Sequence, residues 1–281
     1  MYPKQLNKNL IVHYDHCQQQ RNLSITQIIK IIFNKITINE SLIQLHNQNF
    51  VIPNLIIQFI IYLFYMSLVL VASKTCPHCI RVVLTLNHLK IPYELKYIDI
   101  ENRPDWFIKA SPLEKVPILF VGDAVLFESL VILDYINTLA PQSLLPKDNL
   151  QIALNRSRAE FSQEIIEILW SVFSAKTLEA FDLQMKELRW LFSSLESWLQ
   201  QTKFISDNVL TLADFAYAPI FTIIPALKQF MDFDIFDGFP RLRAYIDTLH
   251  ALPELKMSLV ENYDQLIQKK IQSREPYFWK Q

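Results

Sequence analysis

Thr75-Cys76-Pro77-His78-Cys79 follows the apolar run Leu68-Val69-Leu70-Val71-Ala72 and leads into a segment with a helical apolar pattern. The run reads as a buried strand. Pro77 suits the first turn of a helix, where its missing N–H costs nothing. Cys76 then falls at the N-cap, facing unpaired backbone N–H groups and the positive end of the helix dipole. Both favour thiolate over thiol, and the thiolate is the nucleophile. Strand, Cys-x-x-Cys and helix in that order form a redox-site arrangement.

Two other readings compete. A structural zinc site takes four ligands, usually two such pairs. The third cysteine, Cys17, makes no second pair, and there is no His-x-x-x-His. The plainer alternative is two core cysteines, because free Cys is often buried. Pro77 and the preceding strand favour the redox reading.

The 281 residues suggest one or two domains, and 51 % hydrophobic residues are ample for a core. A net charge of −1 gives no bulk attraction to nucleic acid. Three cysteines do not make a disulfide scaffold. Only Gly122 and Gly238 are glycine, which excludes a glycine-rich phosphate or dinucleotide loop.

Composition changes near Met66. Residues 1–65 hold fourteen isoleucines and sixteen Asn plus Gln, but no Ala, Gly or Trp. Translated AT-rich DNA has that composition, so 1–65 reads as an upstream extension with Met66 as the natural start. The competing reading is a targeting or anchor segment. Leu55 to Ala72 is nearly continuous apolar sequence, about long enough to span a bilayer. It lies too deep for a signal peptide and would consume the strand that Cys-x-x-Cys needs.

From Met66 the pattern alternates strand and helix. Strands are expected at 67–73, 93–98 and 116–121, with a hairpin through Gly122-Asp123 into 124–127. Helices are expected at 77–89, 103–110 and 129–139. The order βαβαββα describes a thioredoxin-like unit over 66–140. A linker follows at 141–150. Residues 151–281 read as all helix, with segments at 152–176, 183–201, 240–249, 253–260 and 262–273. Thr211-Leu212-Ala213-Asp214 is a capping box opening an apolar helix that runs to Ala226, interrupted by Pro219 and Pro225.

Residues 66–260 resemble the glutathione transferase superfamily. The resemblance rests on ordered motifs: Cys76-Pro77-His78-Cys79, Arg103-Pro104-Asp105-Trp106-Phe107, Ser111-Pro112, Lys115-Val116-Pro117-Ile118-Leu119, Glu128-Ser129 leading to Tyr135-Ile136, and Thr211-Leu212-Ala213-Asp214-Phe215. It is closest to the cysteine-type members, omega-like and dehydroascorbate-reductase-like. The implied fold is an α/β thioredoxin-like domain followed by an all-α helical-bundle domain.

The resemblance implies roles for particular residues. Val116-Pro117 would carry a cis peptide bond, and the Val116 main chain would pair with the cysteinyl backbone of glutathione like an added strand. Glu128-Ser129, at a helix N-terminus, would receive the γ-glutamyl group. Arg103 and Lys115 are basic candidates for the glycyl carboxylate. Cys76 would form a mixed disulfide with glutathione, released by a second glutathione. Lys74 and a charged His78 would support its thiolate. Cys79 is either a resolving thiol or a buried helix cysteine. Trp170, Phe173, Phe161, Tyr217 and Phe221 are aromatic candidates for a pocket wall or for core, and none is assigned.

The implied activity is a cytoplasmic glutathione-dependent thiol transferase or reductase. It would act on mixed disulfides, dehydroascorbate-like acceptors or α-haloketone-like adducts. Glutathione is the co-substrate, no metal is implied, and a homodimer is the expected state. One alternative is a non-catalytic relative that binds proteins or membranes, of the stringent-starvation or chloride-intracellular-channel kind. A disulfide oxidant of the DsbA type shares Cys-Pro-His-Cys, but needs its helices inserted within the thioredoxin unit.

Overall fold

A computed structural model describes residues 68–200 and 202–280. The extension 1–65, the start at Met66, the apolar stretch ahead of Leu68 and Cys17 all lie outside the described residues. No helix among those described is long and apolar enough to cross a membrane.

The chain falls into two compact units, and residues 104–110 group apart from the rest of the described chain. In that short piece, α2 (Asp105–Ala110) opens with the Phe107 and Ile108 N–H groups donating to the Pro104 carbonyl. The Trp106 ring meets Phe107 edge-on at 6.1 Å.

The larger unit begins with β1 (Leu68–Ala72), α1 (Pro77–His88), β2 (Glu94–Tyr97), β3 (Ile118–Val121), β4 (Ala124–Phe127) and α3 (Ser129–Leu139). The sheet order is β2-β1-β3-β4. The β1–β2 pair is parallel; β1–β3 and β3–β4 are antiparallel. Leu68, Leu70, Val71 and Ala72 are fully buried, as a central strand covered on both faces requires. Gly122 turns the β3–β4 hairpin at φ +58°, a conformation in which a side chain is strained. The alternation from Tyr93 to Ile98 predicts a longer strand than Glu94–Tyr97, and β3 starts at Ile118 rather than Val116. Pro117 has no N–H to give the ladder.

Residues 140–148 form bends without helix or strand. Asn137 pins them: its carbonyl accepts from Leu144 N–H at 2.7 Å, and its amide donates to Ser143 at 3.1 Å. Then come α4 (Asn149–Val172), α5 (Leu178–Trp198), α6 (Leu212–Tyr217), α7 (Ile223–Leu227), α8 (Pro240–His250), α9 (Pro253–Met257) and α10 (Tyr263–Gln272). The helix expected from Thr211 to Ala226 is instead two short helices, since a proline inside a helix removes a hydrogen bond and clashes with the preceding turn. Phe192 of α5 lies at the centre of the helical core, stacked on Phe236 at 5.7 Å and edge-on to Phe239 at 5.6 Å.

α1 joins the sheet to these helices. It packs against α3, α6 and α9, and Leu84 and Leu86 are fully buried. Asn87 donates to Ser258 at 3.0 Å, and Arg81 to Gln163 at 3.4 Å.

Candidate active site

Cys76 is the N-cap of α1, with φ −87° and ψ 116°, and Pro77 opens the helix. Its own N–H donates to Ser73 O at 3.3 Å. Its carbonyl accepts from Cys79 and Ile80, both at 3.0 Å, so the first turn is closed through the main chain. No side-chain cap hydrogen bond forms. Cys76 is half-buried, and its thiol pKa is lowered to about 7. The largest cause is the Cys79 thiol donating to it; the N–H groups of Cys79 and His78 and the charge of Lys270 add to this, against burial.

Cys79 lies one turn in, buried, with its Sγ accepting from Ser73 N–H at 3.4 Å. Burial first, then the adjoining Cys76, push its thiol well above the ordinary range. One sulfur is an anion near neutral pH and the other is its proton-bearing donor.

The cations differ from expectation. His78 is held neutral: burial, then the charges of Arg81 and Lys115, lower its pKa to about 3. It therefore adds no positive charge to the thiolate. Lys74 sits over the Tyr97 ring at 6.0 Å and is not among the groups that lower Cys76. In their place stand Lys270, whose Nζ donates to Thr75 Oγ1 at 3.4 Å, and Arg81, fully buried behind both cysteines. Burial lowers the Arg81 pKa to about 10, which leaves the guanidinium charged at neutral pH. Its Nε and Nη1 have no protein partner among the described residues.

Strand register brings three separated motifs to one end of the sheet. Val71 pairs with Ile118, and Ile118 with Phe127. The loop to Cys76, the Val116-Pro117 step and Glu128-Ser129 thus all emerge there. The Val116–Pro117 bond is cis. Ser111 closes the loop before it, accepting from Lys115 N–H at 3.1 Å and donating to Lys115 O at 3.0 Å. The Lys115 side chain is exposed, and its charge reaches His78. Arg103 is engaged with Glu114: its Nη1 donates to the Glu114 carbonyl at 3.3 Å, and its Nε lies 3.9 Å from the carboxylate. Arg103 thus steadies the loop in the structure as it stands.

Glu128, the N-cap of α3, has φ +65° and ψ 111°, a costly backbone for a residue with a Cβ. Its carbonyl accepts from Ile132 at 2.9 Å, and no side-chain cap forms. Ser129 is buried at the first helical position. Together they leave the α3 N-terminus without a side-chain cap beside an exposed carboxylate.

Phe173, Tyr217 and Phe221 are fully buried core. Phe161 packs edge-on to Trp198 at 5.0 Å. Trp170 carries two cations, Lys270 at 4.8 Å and Arg274 at 5.1 Å from its ring centre. Sequence reasoning missed Lys270 and Arg81. Arg81 was legible as a charge on the apolar face of α1; Lys270, 195 positions from Thr75, left no local signal.

The family model of the glutathione S-transferase N-terminal domain matches residues 75–139, and that of the C-terminal domain matches 161–253. A rice protein named probable glutathione S-transferase DHAR1, cytosolic (Oryza sativa subsp. japonica) is 31% identical over 179 residues, 63% of this chain and 80% of its own. Glutathione S-transferase omega-1 of Rattus norvegicus is 27% identical over 186 residues, 65% of this chain and 76% of its own. Among solved structures, an epsilon-class glutathione S-transferase of the housefly Musca domestica aligns with a TM-score of 0.64 at 23% identity, over 74% of this chain and 99% of that one. Rice GST1 in complex with glutathione aligns at 0.65 and 22%, over 74% and 97%. These two share the fold. With both domain models matched and a cysteine at the first turn of α1, the chain belongs to the glutathione S-transferase family, among its omega-like and DHAR-like cysteine-type members.

Proposed function

We propose that the protein is a glutathione-dependent thiol transferase whose nucleophile is Cys76. The observation that carries this reading is the split between the two thiols: Cys76 lowered to about 7, Cys79 raised above the ordinary range. The Cys76 thiolate attacks the glutathionyl sulfur of a mixed disulfide R–S–S–G. The S–S bond of R–S–S–G breaks, Cys76–S–S–G forms, and R–S⁻ leaves to take up a proton. A second glutathione thiolate attacks the bound glutathionyl sulfur, giving oxidised glutathione and free Cys76 thiolate. Over the cycle R–S–S–G and one glutathione give R–SH and oxidised glutathione: the R sulfur is reduced and the sulfur of the attacking glutathione is oxidised, while the transferred glutathionyl sulfur stays at the disulfide level.

Docking follows from the sheet end. The Val116 main chain pairs with the cysteinyl backbone, and Glu128 with the α3 N-terminus receives the γ-glutamyl amine and carboxylate. Lys115 is exposed and suits the glycyl carboxylate; Arg103 reaches that group only by leaving Glu114. Cys79 serves as hydrogen-bond donor rather than as an independent nucleophile. The split thiols and named enzymes among the relatives favour catalysis over the protein-binding or membrane-associating alternative. Glutathione is the co-substrate and the cycle uses no metal. The cytoplasm, where thiols stay reduced, suits the chemistry, and a homodimer is the proposed assembly.

The test is turnover of the mixed disulfide of hydroxyethyl disulfide with glutathione. Cys76→Ser should abolish it; an unchanged rate would end this reading.

A further inference from the structure

Beyond the sheet end, α10 reaches the residue before Cys76 through the Lys270 side chain. Ile267 and Ile271 are fully buried and fix one side of that helix. Gln268 donates to Ala226 O at 2.8 Å, and the Tyr263 and Thr222 hydroxyls meet at 2.7 Å. Lys270 is thereby held half-buried, with its Nζ 4.8 Å from the Trp170 ring centre and 3.4 Å from the hydroxyl of Thr75, the residue before Cys76. One turn on, Arg274 lies over the same indole and donates to Ser174 at 2.7 Å. Trp170 is a platform that accepts positive charge on its π face.

We infer that Lys270 is a positioning residue for the transfer reaction: seated on Trp170 and bonded to Thr75, it holds a cation against the Cys76 thiolate from the helical side. The inference rests on the proposed thiolate chemistry and adds a contribution from the last helix to it. Burial, the largest effect, lowers the Lys270 pKa, and the Cys76 thiolate opposes that lowering. The groups that act on the pair from α1 are Arg81 and neutral His78; from α10 they are Lys270 and Tyr263; from β2, Tyr97. Glu101 and Arg274 act on Lys270 itself. In the transfer cycle Lys270 favours Cys76 as the sulfur that departs as thiolate when glutathione attacks Cys76–S–S–G.

The experiment is the pH dependence of Cys76 alkylation by iodoacetamide, with no glutathione present, in the full chain and in Lys270→Gln, which keeps a donor for Thr75 and loses the charge. The midpoint should rise from about 7 by roughly one unit. At pH 6 the rate should fall about threefold to tenfold, because the higher nucleophilicity of a more basic thiolate offsets part of the loss. Lys270→Arg should restore the wild-type midpoint, and the rate with anionic iodoacetate should fall more than that with iodoacetamide in Lys270→Gln. Lys270→Met gives a second neutral variant if Lys270→Gln folds poorly. An unchanged midpoint in a folded neutral variant overturns the inference and leaves the transferase reading standing. Loss of turnover in Cys76→Ser tests that reading separately.

Discussion

Two helix N-termini in this molecule solve the same problem in opposite ways. At α6, Asp214 accepts from Thr211 N–H at 2.7 Å, Thr211 Oγ1 at 2.8 Å, Ile205 N–H at 2.9 Å and Tyr245 O–H at 2.9 Å. Asn155 donates to Thr211 at 2.8 Å, so the cap is tied into α4 as well. Asp214 is fully buried, and its pKa is raised by that burial. At α1 a thiol occupies the capping place and makes no side-chain cap. The first arrangement spends every acceptor on holding the helices together. The second leaves a sulfur whose charge is stabilised. The difference teaches where each helix end contributes: α6 to stability and, in the proposed cycle, α1 to reactivity.

Substitutions at the two ends should therefore act on different observables. Cys76→Ser should remove thiol transferase turnover by more than about a hundredfold, as loss of a nucleophile does. Its unfolding free energy should stay level or rise by up to ~1 kcal/mol, since Ser is a good N-cap. A stability loss there comparable to that at α6 would erase the contrast. Asp214→Ala should cost about 3 kcal/mol, from the lost cap and the donors stranded in a buried site. Thermal melting should drop by roughly 6–12 °C while the alkylation midpoint of Cys76 in the folded protein holds. Cys79→Ala removes the thiol that donates to Cys76; the alkylation midpoint should rise, and turnover near pH 6.5 should fall about twofold to fivefold. A midpoint that stays at wild type would show that the N–H groups and cations suffice. His78→Phe is the smallest case. Because His78 is neutral, the pH profile above pH 5 should keep its shape and midpoint.

The sheet and the site loops were legible because their signals are local. β1 is a short apolar run, the Gly122-Asp123 turn marks its hairpin, and α3 runs from Ser129 to Leu139 as its apolar spacing predicts. The α1 N-terminus followed from Pro77 alone. Boundaries failed where a cap was overlooked. α4 starts at Asn149 because Asp148 accepts from Gln151 N–H at 3.0 Å. α5 starts at Leu178, ahead of the expected Leu183, because Thr177 accepts from Ala180 N–H at 3.2 Å. The charge environment of Cys76 was the least legible part. Lys74 and His78 are near in sequence, yet the cations that count come from inside α1 and from α10. Proximity along a chain does not tell which side chain loses its water and faces the sulfur.

The pairing of Val71 with Ile118 and of Ile118 with Phe127 works as a ruler. Antiparallel strands advance about 3.4 Å per residue, and side chains alternate faces at each step. Removing one residue from β4 would withdraw Glu128-Ser129 by that length from the ledge set by Val116, and would turn the strand's outward set inward. The span between the main-chain step and the α3 N-terminus is thus counted in ladder rungs. If glutathione docks as proposed, it spans that fixed number of rungs.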